Sequence, residues 1–313
     1  MMLVDETTRV VIQGITGREA RMVTAHMLAY GTQVVAGATP GRGGSEVDGV
    51  PVYDTLEEVM ARHAPTASLI SVPPGAVLDA CLEALDAGLR LLVIATEGMP
   101  QHDAMLALEA ARAARARIIG PNSVGVINPA ARVKLGAIGG DNPARAFPPG
   151  GIGIISRSGG MTAEIGLMLK RLDLGVSTAV SVGGDALIGT PPARLLPLYQ
   201  RDAHTEGVVL FGEPGTRFEE EVAETIQARR YTKPLVAMVA GRFTESLPEG
   251  TAFGHAAAII QGAGGRPSRK LERLREAGAL VAEDIDDLLQ YLSLVFKNAP
   301  YLGRSLDGPR LDR

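Results

Sequence analysis

The run Arg9-Val10-Val11-Ile12-Gln13-Gly14-Ile15-Thr16-Gly17-Arg18-Glu19-Ala20 decides the fold. Val10, Val11 and Ile12 are consecutive β-branched residues, so the strand is apolar on both faces, as strands are when helices cover both sides of a parallel sheet. Gly14 and Gly17 end it, and helical spacing follows to about residue 30. Strand, glycine turn and helix form the opening unit of a doubly wound α/β sheet, in which the turn lets backbone approach a phosphate at a helix N-terminus. The spacing is G-x-x-G-x-x-A rather than G-x-G-x-x-G, which fits a nucleotide better than NAD.

The same alternation continues outward. Strands are expected at 33–36, 68–72, 91–94 and 117–120, with helices near 55–63, 76–88 and 102–115. In the helix at 76–88, Val77, Leu78, Cys81, Leu82 and Leu85 share a face, and Gly88 stands where a C-terminal glycine belongs. Residues 128–151 then concentrate Pro and Gly, from Pro129 to Pro148-Pro149-Gly150-Gly151, which disfavours helix and central strand. The boundary is placed there, with one domain over 1–128, a connector over 129–151, a second domain over 152–300 and a mobile tail over 301–313. In the second half the spacing predicts strands at 152–156, 178–182, 207–211, 235–240 and 279–282. Helices are expected near 160–172, 192–202, 218–230, 255–262, 268–277 and 284–296.

Composition agrees with this architecture. Of 313 residues 46% are hydrophobic but only 4% aromatic, with no Trp, so the core must be built from Ala, Val, Ile and Leu. The formal charge of -4 comes without any basic run, which argues against a nucleic-acid or membrane partner. The lone cysteine, Cys81, excludes an intrachain disulfide and a thiolate metal cluster, and its leucine neighbours make it a packing residue. No metal site is expected. No apolar run reaches the ~20 residues of a membrane span. Asp5 and Glu6 stand where a signal peptide is basic, so a cytoplasmic protein is expected.

Many of the glycines fall at strand ends, the edge at which open α/β sheets bind ligands. After the second strand comes Thr39-Pro40-Gly41-Arg42-Gly43-Gly44, with Arg42 where an NAD site would carry an acid. A guanidinium there fits a phosphorylated ribose, as in coenzyme A or NADP, or is simply a solvated arginine in a turn. Val72-Pro73-Pro74, Thr96-Glu97-Gly98 and Gly120-Pro121-Asn122-Ser123 can wall a cleft or serve as ordinary turns. Ser156-Arg157-Ser158-Gly159-Gly160-Met161-Thr162 offers hydroxyls and unobstructed N–H groups at a helix start, where an anion or a plain cap is possible. Gly183-Gly184-Asp185 and Gly212-Glu213 end the next strands, and Gly254-His255-Ala256 sets one histidine among small residues.

Taken in order, these motifs resemble the α subunits of succinyl-CoA synthetase and related acid–CoA ligases, over roughly residues 3–295. The resemblance implies an α/β fold of two doubly wound domains: a Rossmann-like coenzyme A domain and a flavodoxin-like ligase domain. It makes His255 the phosphoryl carrier and Glu213 its orienting carboxylate. It assigns coenzyme A to Gly14, Thr16, Gly17, Arg18, Glu19, Pro40, Arg42, Val72, Pro73, Pro74, Thr96, Glu97, Asn122 and Ser123. Ser156, Ser158, Gly159, Gly160 and Thr162 would hold phosphate or substrate. ATP or GTP with Mg2+ would bind on an ATP-grasp β subunit, and the acid would be succinate or another small carboxylic acid such as malate or citrate. Relative to the family pattern, Ala20 replaces Gly, Arg42 replaces Lys, and Thr244 to Gly250 is acidic. The altered loop around it, Arg242 to Phe253, keeps open a coenzyme A-binding protein without ligase activity, and Arg42 with the glycine turn keeps open an NADP oxidoreductase.

Overall fold

The computed structural model describes residues 2–248, 250, 254–255, 258–260 and 265–297. The tail expected to be mobile at 301–313 lies outside the described residues, as do 249 and 251–253 of the acidic loop. The first half runs β1 (Arg9–Gln13), α1 (Arg18–Tyr30), β2 (Gln33–Ala38), β3 (Glu46–Val47), β4 (Val50–Tyr53), α2 (Leu56–Arg62), β5 (Ala67–Ile70), α3 (Val77–Asp86), β6 (Leu91–Ile94), α4 (Gln101–Ala113) and β7 (Arg117–Ile119). Its sheet has the order β3-β4-β2-β1-β5-β6-β7. The second half runs β8 (Val126–Asn128), β9 (Val133–Leu135), β10 (Pro149–Ser156), α5 (Gly159–Arg171), β11 (Val176–Ser181), α6 (Pro192–Arg201), β12 (Gly207–Gly212), α7 (Phe218–Gln227), β13 (Leu235–Val239), α8 (Pro267–Glu276), β14 (Leu280–Ala282) and α9 (Ile285–Leu292). Its order is β14-β13-β12-β10-β11-β8-β9.

Each sheet reverses direction beside its first long strand, between β1 and β5 in one and between β10 and β12 in the other. The crevice at such a reversal opens at the carboxyl ends of the strands. It places Gly14–Gly17 beside Ser71–Pro74 in the first half, and Ser156–Gly160 beside Glu213–Thr216 in the second. The parallel strands are buried on both faces, Ile152 and Gly153 through Ser156 among them, which is why they read as apolar runs rather than alternating ones.

Three expectations need correction. The 129–151 stretch is not a bare connector, because β9 lies within it, β8 ends directly before it and β10 begins at Pro149. β8 and β9 pair antiparallel at the sheet edge, where Pro129 and a left-handed Arg132 serve the turn and cost no central hydrogen bond. Their seam with the first half includes Thr32, whose hydroxyl bonds Lys134 O at 2.9 Å. The helix expected at 255–262 is also not formed among the described residues: Gly254 and His255 lie in a bend and Ile259 in an isolated bridge. On α3 the buried stripe runs through Val77, Ala80, Cys81, Ala84 and Leu85. Leu82, expected on that face, is 37% exposed.

Candidate functional site

In the second half, the carboxyl end of β12 delivers Glu213 and a later loop returns His255 to it. His255 Nδ1 lies 2.8 Å from Glu213 Oε2 and 3.0 Å from Oε1. The Glu213 side chain is 12% exposed and the ring 32%, so the pair is sheltered but still reachable. The ring lies against Gly184, where a Cβ would fall 2.6 Å from Cδ2 and 2.9 Å from Nε2. Gly184 is therefore glycine because the imidazole occupies the space of a side chain. With Nδ1 on the carboxylate, Nε2 is the nitrogen left for chemistry. The hydrogen bond to Glu213 raises the imidazole above its ordinary value, against burial, with Arg157 lowering it and Glu97 adding to the rise.

Beneath this platform sits Arg157, 1% exposed, a residue to which sequence reasoning assigns no role of its own. Its Nη2 donates to Gly184 O and Asp185 O, each at 3.0 Å, and its guanidinium lies 5.2 Å from the Phe218 ring centre. Arg157 thus fixes the turn on which the imidazole rests. An arginine directly after a fully apolar strand was the available signal. Asp185 accepts from Asn122 Nδ2 at 3.2 Å across the seam, and burial raises its carboxyl, opposed by that bond. A pocket of about 110 Å³ lies beside it, lined by Gly98, Met99, Pro121, Asp185 and Leu187.

The expected phosphate residues divide. Ser156 is fully buried and its hydroxyl bonds Ser158 O at 2.8 Å, so it shapes the turn. Thr162, also fully buried, spends its hydroxyl on Ser158 O at 2.8 Å. Ser158 caps α5 by accepting from Met161 N at 3.3 Å. Gly159 and Gly160 stand in the first turn of α5, where N–H groups have no partner within the helix. The acidic loop has a structural use as well: Glu245 caps α8 through Ser268 N at 2.6 Å and Ser268 Oγ at 2.9 Å.

The first-half residues gather at the other crevice. Gly14 has φ +82°, and a Cβ there would meet Ser71 O at 2.2 Å, so the turn beside Val72, Pro73 and Pro74 admits only glycine. Gly17 starts α1 with no side-chain cap, leaving first-turn N–H groups near Thr16, Arg18 and Glu19 for an anion. The loop holding Pro40 and Arg42 is shaped by Asp54, which accepts from Arg42 N at 2.9 Å and Gly43 N at 2.8 Å. Arg42 itself is exposed, and the buried Thr39 hydroxyl has no partner. An uncapped helix, an exposed cation and an orphaned hydroxyl together suit the phosphates of coenzyme A. Thr96 joins the crevice wall through Val72 O at 2.7 Å, with Glu97 exposed next to it. Ser123 does not face the cleft: it is 4% exposed and bonds Ser181 O at 2.5 Å, stitching the two halves together.

Comparison with known proteins matches a domain in each half. Residues 5–98 match a CoA binding domain, and residues 149–295 match a succinyl-CoA ligase like flavodoxin domain. The chain is 44% identical over 296 residues to succinate–CoA ligase [ADP-forming] subunit alpha 1 of Archaeoglobus fulgidus, covering 95% of this chain and 98% of that one. It is 41% identical to a subunit of the ADP-forming sulfoacetate–CoA ligase of Acholeplasma sp, covering 90% of this chain and 94% of that one. Among solved structures, ATP citrate lyase of Methanosaeta concilii with (3S)-citryl-CoA superposes with a TM-score of 0.87 at 24% identity. It covers 100% of this chain, which spans 53% of that one, and the likeness is one of fold. Among the described residues no helix is long and apolar enough to cross a membrane.

Proposed function

The chain belongs to the family of succinate–CoA ligase α subunits, ADP-forming acid–CoA ligases, and from that premise we propose that His255 is its phosphoryl carrier and Glu213 the group that orients it. The 2.8 Å bond between His255 Nδ1 and Glu213, made by residues 42 positions apart, carries this reading. Glu213 holds the proton on Nδ1 and balances the charge of the phosphorylated ring. Nε2 takes the phosphoryl group from ATP or GTP, bound with Mg2+ on an ATP-grasp β subunit, and later passes it to the acid. In that second transfer the P–N bond breaks as a P–O bond forms, giving an acyl phosphate, and the imidazole recovers its electron pair. Gly159 and Gly160 N–H groups and the α5 dipole steady the phosphoryl oxygens.

Coenzyme A, when bound, supplies the thiolate that attacks the acyl carbonyl, forming the C–S bond and releasing phosphate. Gly14, Thr16, Gly17, Arg18 and Glu19, with Pro40 and Arg42, would hold its phosphates. Val72, Pro73, Pro74, Thr96, Glu97 and Asn122 would line the way for its thiol arm. The first half, to about residue 128, is the coenzyme A domain in this reading and the second the ligase domain. Succinate is the first candidate acid. The sulfoacetate–CoA relative supports another small acid as the second. A cytoplasmic location accords with the single, buried cysteine.

The test is labelling. Mixed with its β subunit and γ-labelled ATP, the chain is expected to take up acid-labile, base-stable label on His255. A His255→Ala chain that labels equally would remove the carrier role.

A further inference from the structure

Behind Glu213 lies an ion pair that the chemistry above does not use. Lys270 on α8 and Glu219 on α7 have side chains 0% and 1% exposed, and the ammonium donates to Glu219 Oε2. Its other bonds go to main-chain carbonyls, Glu213 O at 2.9 Å and Gly215 O at 2.5 Å. The second oxygen of Glu219, Oε1, accepts the Glu213 N–H at 3.4 Å. Both backbone polar groups of Glu213 therefore end on one buried pair. Gly212 makes room for it, since a Cβ there would fall 2.3 Å from Glu219 Oε1.

Stability alone is a weak reason for such a pair. Desolvating two ions costs several kcal/mol each, and apolar side chains of similar volume often hold helices together as well or better. α7 and α8 already contribute Val222, Ala223, Leu271 and Leu274 to one apolar cluster. Apolar substitutes cannot, however, fix the direction of a peptide group. We infer that Lys270 and Glu219 are positioning residues of the phosphoryl-transfer site, clamping the Glu213 peptide so that its carboxylate meets His255 Nδ1 and leaves Nε2 free. Neither touches the reacting atoms. The inference rests on the carrier reading of His255 for its effect on rate, but its effect on the ring stands by itself.

Two variants of the full chain test it: Glu219→Gln, which keeps the shape, and Lys270→Met combined with Glu219→Leu, which removes one charge of each sign. Imidazole NMR follows the His255 titration, and labelled ATP with the β subunit follows phosphorylation. The other charges near the ring, Arg157, Glu97 and Asp185, remain in both variants. Because the double variant alters no net charge, a moved midpoint there reports the Glu213 bond rather than a direct field. In both variants the midpoint is expected to fall toward the ordinary imidazole value. Labelling should slow by on the order of tenfold to a hundredfold, the scale of a displacement of about 1 Å. Coenzyme A affinity should hold, and the double variant should melt no lower than wild type.

Wild-type titration and labelling in folded variants would overturn the inference. So would a double variant unable to fold together with a Glu219→Gln chain whose His255 titrates as in wild type, because the pair would then serve folding alone. If wild type takes no label, or His255→Ala takes as much, the carrier reading fails instead, and the His255 titration still decides the clamp.

Discussion

The N-termini of α1 and α5 occupy matching places at the reversal points of the two sheets, yet they are finished differently. α1 begins at Gly17 with no side-chain cap. α5 begins at Ser158, whose hydroxyl caps Met161 N, while Thr162 bonds back to Ser158 O. The bare terminus leaves its first-turn amides open, and in the proposed reading a coenzyme A phosphate takes them. The capped terminus has one amide met by Ser158 and Gly159 and Gly160 left open, and it is surrounded by side chains from elsewhere: His255, Glu213 and the buried Arg157. A site that only binds can be made of backbone. A site that holds a reactive nitrogen in one direction needs a network of side chains around it.

The largest effect that separates the two regions is expected from Gly184→Ala. The new methyl would lie within 2.6 to 2.9 Å of three ring atoms, so the imidazole must move. His255 labelling should fall about a hundredfold, with coenzyme A affinity unchanged by calorimetry. Loss of both would mean that the two crevices are not independent.

Glu213→Gln comes next, with labelling down roughly tenfold near neutral pH. Its pH dependence sharpens the comparison. Attack needs the unprotonated Nε2, and Glu213 raises the ring above 6.5, so wild-type labelling should climb as pH rises through that raised value. The Gln variant should climb at lower pH. Because the folded value exceeds the unfolded one, the stability that the pair adds is fully present below about 6.5 and is lost as pH rises through the folded value. The melting gap between wild type and Glu213→Gln should therefore narrow from pH 6 toward pH 8, and a gap that widens contradicts the pairing.

On the other side, Arg42→Ala should weaken coenzyme A by about 1 kcal/mol, or roughly fivefold, as an exposed charge contact does. Affinity for 3′-dephospho-coenzyme A should stay the same, since the lost partner is the ribose phosphate. The smallest effect is expected from Ser158→Ala, which removes a cap and about 1 kcal/mol of stability in a denaturant melt. Label should be little changed, because that hydroxyl already serves the helix.

The long elements were legible because their residues leave no choice. Val10-Val11-Ile12 and Leu91-Leu92-Val93-Ile94 can satisfy neither face in water, and the observed β1 and β6 cover the expected spans. The short edge strands were missed for the opposite reason. β3 holds only two residues and Pro51 interrupts the four of β4, so neither gives the unbroken apolar run that marks β6. The Asp48-Gly49 turn between them, with φ of +48° and +81°, was a usable clue. In the site, His255 and Glu213 were named through a resemblance in the order of motifs, and spacing alone could not have joined them. The resemblance alone assigns Ser123, Ser156 and Thr162 to ligands, and hydroxyls at strand ends and helix starts suit either role. Burial, a property of three dimensions, gave all three to the scaffold.

By itself the sequence determined two alternating α/β halves, a glycine turn where β1 opens onto α1, and the residue types present at each strand end. Local sterics and periodic burial fix these, and both act over a few neighbouring residues. The tertiary structure decided which strand ends meet. It set the imidazole on Gly184, put Arg157 under that turn, and tied both ends of the Glu213 peptide to Lys270 and Glu219. Those contacts join residues tens of positions apart. Their energies depend on burial and direction, which no local pattern in the chain records.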